Sequence, residues 1–173
     1  MTYITRKLYD NFLPEKDFKD IRDLFMSFRF PWYYTPVVGE KDKDHQFTFG
    51  LYSYTRPLSE TYDTLEKIIC DKKIKVAAVC RVKANCSVKT TEHVETGFHC
   101  DVPFECTTAI FYLNTNNGYT EFEDGTKIDA VANRLVTFPS TLKHRGVTTT
   151  DTDRKLLINF NYFESEYEYE ETY

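Results

Sequence analysis

The 173-residue chain has no run of eighteen consecutive apolar residues, so no segment reads as a membrane-spanning helix. It has no basic stretch long enough to track a phosphate backbone, and its formal charge of −5 argues against a polyanionic duplex as main partner. The five cysteines (Cys70, Cys80, Cys86, Cys100 and Cys106) are odd in number and make no Cys-x-x-Cys pair. Neither a disulfide framework nor a zinc ribbon is supported, and reduced thiols are expected. No internal repeat and no domain linker is visible. The residues after Met1 contain no apolar run of the kind a signal peptide needs. The expectation is therefore a soluble, cytoplasmic protein, monomeric or weakly dimeric, with no membrane partner.

Aromatic residues, by contrast, are plentiful, with 14 Phe and 13 Tyr. They favour strands and large apolar contacts, and so a sheet-rich domain. The length suits one domain with its own core. Within it, residues 1–73 read as helical and strand support, 74–163 as the core and 164–173 as an acidic tail. Phe18, Ile21, Leu24, Phe25 and Phe28 recur at helical spacing and predict an amphipathic helix over about 15–28. Residues 30–38 contain Pro31 and Pro36 and suit an edge strand. A polar loop over 39–45 precedes a strand over 47–54, and Ser59 caps a second helix with Tyr62, Leu65, Ile68 and Ile69 as its buried stripe. From about residue 74 the period becomes two. Eight strands follow: 74–86, 93–101, 106–113, 119–123, 127–131, 135–138, 144–149 and 155–163. Asn117-Gly118 and Asp124-Gly125 mark tight hairpins. Eight short strands can close a jelly roll, giving a mostly β (α+β) chain with two N-terminal helices packed on one sheet.

Within that core His99 and Asp101 lie two residues apart, so an extended strand points both to the same face. A folded-back sheet can bring His144 to the same point. Two imidazoles and one carboxylate leave coordination positions open, an arrangement that suits a non-haem Fe(II) oxygenase. Arg154 follows ten residues after His144, at the head of the last strand.

His-x-Asp, a distal histidine and an arginine ten residues later resemble the signature of the 2-oxoglutarate- and Fe(II)-dependent dioxygenases. The likeness is to the prolyl-hydroxylase-like branch, and within it to small stand-alone oxygenases of bacteriophages, whose strands read like Ile110-Phe111-Tyr112-Leu113-Asn114 and Val131-Ala132-Asn133-Arg134-Leu135. It covers about residues 75–163 and, more loosely, 30–34. The resemblance implies a double-stranded β-helix (cupin-like) core, iron held by His99, Asp101 and His144, and hydroxylation of a C–H bond coupled to conversion of 2-oxoglutarate and dioxygen to succinate and carbon dioxide, with ascorbate as reductant. It places the far carboxylate of 2-oxoglutarate on Arg154, whose planar fork binds bidentately, and on the Tyr112 hydroxyl. Ile110 and Tyr112 should share the inward face. Asn85, polar within a strand, is placed to line the same pocket. Cys100, between two ligands, should point away and pack. A phage-encoded chain would act in the host cytoplasm.

The branch tilts the substrate toward a peptide or protein side chain, held in an open groove by the 39–45 loop, the strand 47–54 and residues 90–96, with Tyr52, Tyr54 and His93 as contacts. Alternatives are a small metabolite, a nucleobase, a metal-binding jelly-roll interaction module without turnover, and a metal-dependent isomerase or hydrolase. Lys72, Lys73, Lys75, Arg81, Lys83 and Lys89 form the one basic concentration. Strand alternation should divide those in the strand between two faces, so no continuous nucleic-acid groove is expected.

Overall fold

The structure, a computed structural model, describes residues 5–35 and 46–165. The predicted 39–45 loop, the end of the strand expected over 30–38 and the tail beyond residue 165 lie outside the described residues.

Strand β1 (Lys7–Tyr9) precedes helix α1 (Glu15–Met26), followed by β2 (Tyr33–Thr35), β3 (Gln46–Ser53) and the short β4 (Arg56–Pro57). A 3-10 turn (Glu60–Leu65) leads into α2 (Glu66–Ile69). The rest is β: β5 (Val76–Val88), β6 (Thr107–Tyr112), β7 (Tyr119–Phe122), β8 (Lys127–Asp129), β9 (Arg134–Pro139), β10 (His144–Val147) and β11 (Arg154–Glu164). The large sheet runs β1-β9-β6-β11-β5-β3-β2, with β4 paired to β3, and the small one runs β10-β7-β8. The two sheets form the jelly-roll core. The strand expected over 93–101 is reduced to two bridges, Glu95 to Val147 and His99 to His144, which lay that segment along β10.

The large sheet separates two apolar clusters, and strand alternation decides which residues enter each. Phe111, Leu156, Ile158 and Phe160 face the helices with Phe18, Ile21, Phe25, Leu65 and Ile68. Ile110, Tyr112, Val136 and Leu157 face the small sheet with Phe122 and Phe138, so Ile110 and Tyr112 do share a face. Burying each such side chain contributes about 1.5–3 kcal/mol.

Helix α1 buries Phe18, Ile21 and Phe25, and Phe18 meets the Phe111 ring edge-on at 6.0 Å. It stops before residue 28 because Ser27 turns to an extended ψ of 138° while its N–H donates back to Leu24, and Phe28 is left exposed. Ser59 caps the second helical segment by accepting from Thr61 N–H, and Leu65 and Ile68 are its fully buried residues.

Of the two predicted hairpins, Asp124-Gly125 joins β7 to β8 with Gly125 at φ +82°. Asn117-Gly118 does not make one, because β6 and β7 belong to different sheets. Gly118 is required for close approach instead. A Cβ there would lie 2.8 Å from the Val147 carbonyl and 2.9 Å from Lys155 Cδ.

Candidate active site

The bridge between residues 99 and 144 builds the centre. His99 N–H donates to the His144 carbonyl and His144 N–H to the His99 carbonyl, both at 3.0 Å, which sets the two imidazoles side by side with ring centroids 5.0 Å apart. Each ring is held at its far nitrogen, His99 Nδ1 by the Gly97 carbonyl at 2.9 Å and His144 Nδ1 by the Leu142 carbonyl at 3.2 Å. A carbonyl can only accept, so Nδ1 carries the proton and Nε2 keeps its lone pair for a metal. Phe138 at 5.0 Å and Phe122 at 6.1 Å wall the His144 ring.

Asp101 completes the cluster, its carboxylate 3.8 Å from His99 Nε2 and 3.4 Å from His144 Nε2. The ligand atoms of all three residues lie within 4.8 Å of one another. Asn159 Nδ2 on β11 donates to Asp101 Oδ2 at 2.8 Å and aims it. Burial by itself would raise the Asp101 pKa, but hydrogen bonding to His144, the His144 charge, the Asn159 bond and His99 overcome it and hold the carboxyl well below the usual range. With both imidazoles unprotonated at Nε2, the three residues offer two neutral nitrogens and one anionic oxygen, a donor set that fits Fe(II) with positions left open.

Beside the cluster opens a cavity of about 490 Å³, within the range of small-molecule sites. Its floor is the odd-numbered face of β5, with Arg81, Lys83, Asn85 and Ser87, and of β11, with Lys155, Leu157 and Asn159. Asn85 Oδ1 and Asn159 Oδ1 are buried there without a hydrogen-bond partner among the described residues, polar atoms of the kind a bound ligand satisfies. Lys155 is 3% exposed. Its ammonium donates to the Tyr119 carbonyl at 3.1 Å and to the Val147 carbonyl.

Arg154 is not in this cavity. Its even position turns it to the helix face, where it donates at 2.7 Å to the carbonyl of Met26, the last residue of α1, and so satisfies one of the orphan acceptors of that helix end. The cation on the cavity face is the next residue, Lys155, and this corrects the arginine expectation. Tyr112 is wholly buried and does not line the cavity. Its hydroxyl donates to Thr120 Oγ1 at 2.7 Å, and Thr120 is the group that lines the wall. Asn85 lines the cavity.

The three substrate contacts do not line the cavity either. His93 is exposed and meets the Tyr119 ring edge-on at 5.7 Å. Tyr52 packs on Tyr62 at 4.9 Å on the helix face, because a bulge between Gly50 and Tyr52 shifts the alternation of β3. Tyr54, 56% exposed, leans on Phe104 at 6.3 Å. Cys100 is exposed and lines the cavity rather than packing away from it. Arg81 and Lys83 share one face, contrary to the expected division. Lys155, Asn159 and Thr120 were missed, although the polar phase of β11 carried a signal: Lys155, Asn159 and Asn161 alternate with Leu156, Ile158 and Phe160.

No family model matches the chain, and no curated protein sequence does. Solved structures do match. An oxidoreductase of the 2OG-Fe(II) oxygenase family from Burkholderia pseudomallei superposes with a TM-score of 0.71 at 12% identity, over 91% of this chain and 84% of that one. A prolyl hydroxylase from Trichoplax adhaerens, in complex with a hypoxia inducible factor oxygen degradation domain peptide fragment, superposes with a TM-score of 0.64 at 16% identity over 94% and 84%. SnoN, a non-heme alpha ketoglutarate dependent epimerase from nogalamycin biosynthesis, does so with a TM-score of 0.67 at 12% identity over 93% and 78%. The chain thus has the jelly-roll fold of the 2OG-Fe(II) oxygenases.

Proposed function

We propose that the protein is a 2-oxoglutarate- and Fe(II)-dependent dioxygenase that hydroxylates a C–H bond of a peptide or small-molecule substrate. The observation that carries this reading is the joining of two oriented imidazoles and an ionised carboxylate to a cavity whose other buried cation is Lys155. His99, Asp101 and His144 would hold the iron. When bound, Fe(II) would bring 2-oxoglutarate and dioxygen together and supply the oxidation.

The chain's own residues do the rest. Lys155 receives the far carboxylate of 2-oxoglutarate by a charge-assisted bond. Thr120 belongs to the same wall, and its hydroxyl accepts a hydrogen bond from the Tyr112 hydroxyl behind it. Asn159 holds Asp101 in one rotamer, and the backbone carbonyls of Gly97 and Leu142 keep both imidazoles in the metal-binding tautomer. Ile110, Val147 and Leu157 supply apolar wall that limits water around the reacting centre.

The test is succinate formation from 2-oxoglutarate by the Fe(II)-loaded protein under air, with ascorbate as reductant, with and without a cell extract as substrate source. Extract-stimulated succinate that disappears in Asp101→Ala supports the reading. Metal and 2-oxoglutarate binding with no succinate under any condition would leave a jelly-roll binding module instead.

A further inference from the structure

We propose that Arg81 and Lys83 form a second anion receptor in the cavity, distinct from Lys155, and that the substrate carries a carboxylate or phosphate which this pair holds beside the metal ligands. This rests on the dioxygenase reading for the role of the ligand, though not for the existence of the receptor.

Charge counting gives the first reason. The chain is acidic overall, at −5, yet among the described residues the cavity is lined by four cations (Arg81, Lys83, Lys89 and Lys155) and one carboxylate, Asp101. A divalent metal with a dianionic co-substrate would leave that excess where it was. A low-dielectric concave wall of one sign focuses anions.

The partners of these cations give the second. The half-buried Arg6, Arg134 and Arg145 are closely paired with carboxylates, Arg6 with Asp124 at 2.6 Å, Arg134 with Asp10 at 2.6 Å and Arg145 with Glu95 at 2.5 Å and Glu121 at 2.6 Å. Among the described residues Arg81 has two long contacts, Asp101 at 3.8 Å and Asn161 at 3.4 Å, which leave most of its five donors unused there. The Lys83 ammonium has no hydrogen bond or ion pair among the described residues. Burial and the adjacent Arg81 charge, only partly offset by Asp101, bring its pKa down to about 8. Folding gains nothing from two under-paired cations side by side in a half-buried wall, whereas a bound anion recovers the cost of both.

Position gives the third. In the β5–β11 ladder Lys155 lies opposite Ser87, whereas Lys83 lies opposite Asn159, the residue that orients Asp101, and Arg81 lies opposite Asn161. Four residues of strand separate the Lys155 and Asn159 levels by about 13 Å. The four carbon–carbon bonds of a five-carbon diacid reach about 6 Å at most. With the Lys155 side chain covering part of that distance, a 2-oxoglutarate that runs from Lys155 to the metal ligands ends at about the Asn159 level, and Arg81, six residues or about 20 Å of strand from the Lys155 level, faces the cavity beyond it.

The experiment uses the full chain loaded with Mn(II), under nitrogen. Calorimetry first measures 2-oxoglutarate binding, then titrates inorganic phosphate or acetate into protein saturated with 2-oxoglutarate. The expected result is phosphate or acetate binding at about 1 mM or tighter without displacement of 2-oxoglutarate, weakened at least tenfold in Arg81→Gln and in Lys83→Met and retained in Lys83→Arg. The two probes separate a phosphate-bearing from a carboxylate-bearing substrate. The proposal is overturned if neither anion binds, if both only compete with 2-oxoglutarate, or if the variants lose 2-oxoglutarate itself, which would assign the pair to the co-substrate. Failure of the wild type to bind 2-oxoglutarate defeats the dioxygenase reading alone. The same anion titration run without 2-oxoglutarate then decides the receptor by its loss, or not, in the variants.

Discussion

Leu156, Ile158 and Phe160 of β11 are sealed against the helices, while one residue out of phase Lys155, Leu157 and Asn159 of the same strand line the cavity. β5 repeats the contrast, with Val82, Ala84 and Cys86 on the first face and Arg81, Lys83 and Asn85 on the second. The helix face is apolar apart from a few groups such as the buried Tyr162 hydroxyl, and its stability comes from area removed from water. The cavity face keeps buried polar atoms that the fold leaves incompletely satisfied, which is the mark of a surface shaped for ligands rather than for folding. Arg154 and Lys155, adjacent in sequence, fall on opposite sides of this division. One closes a helix end and the other faces the site.

If the division holds, substitutions on the two faces should separate stability from ligand binding. The largest effect is expected for Asp101→Ala. Loss of an outer hydrogen-bond partner alone costs about 10- to 100-fold in metal affinity, so loss of the anionic ligand should exceed that, measured by anaerobic Co(II) or Mn(II) titration. The thermal transition of the metal-free protein should persist. Full metal affinity in this variant would break the assignment of the centre.

Ile158→Ala, on the helix face, should cost about 2–5 kcal/mol of stability in chemical denaturation and leave metal affinity unchanged. A smaller loss, about 1–3 kcal/mol, is expected from Arg154→Gln, because a half-buried helix-end carbonyl on Met26 loses its charged donor. A variant that kept its stability while losing co-substrate would return the clamp to Arg154. Tyr112→Phe should be mildest, about 0.5–1.5 kcal/mol, since it removes one neutral hydroxyl from Thr120. Its effect on 2-oxoglutarate affinity should be smaller than that of Thr120→Val, which removes the group lining the wall.

Much of this was legible in the sequence because it depends on periods. The apolar recurrence of Phe18, Ile21 and Phe25, the alternation from residue 76 onward and the i, i+2 pairing of His99 with Asp101 are local patterns that the fold preserves. Spacing from His144 points to Arg154, whereas the phase of β11 turns Lys155 to the cavity, because one residue on a strand reverses the face. Tyr52 and Tyr54 were misplaced for a related reason. The irregularity beside Gly50, whose lack of a side chain inside a strand is its one local mark, breaks the alternation of β3 before Tyr52, and Tyr54 lies past the strand end at φ +45°. Asn159 could not be tied to Asp101 from sequence, since that contact spans 58 residues and depends on how the two sheets close.

The central claim is that the cavity face, with Lys155 as anchor, receives 2-oxoglutarate beside a metal held by His99, Asp101 and His144. The most direct measurement is calorimetric titration of 2-oxoglutarate into Mn(II)-loaded wild type, Lys155→Met and Arg154→Gln, with the metal-free wild type as reference. The account predicts metal-dependent binding that is weakened roughly 10- to 150-fold in Lys155→Met, as expected for loss of a charge-assisted bond of about 1.5–3 kcal/mol, and is unchanged in folded Arg154→Gln. Binding that is indifferent to the metal, or that survives Lys155→Met and fails in Arg154→Gln, would contradict it.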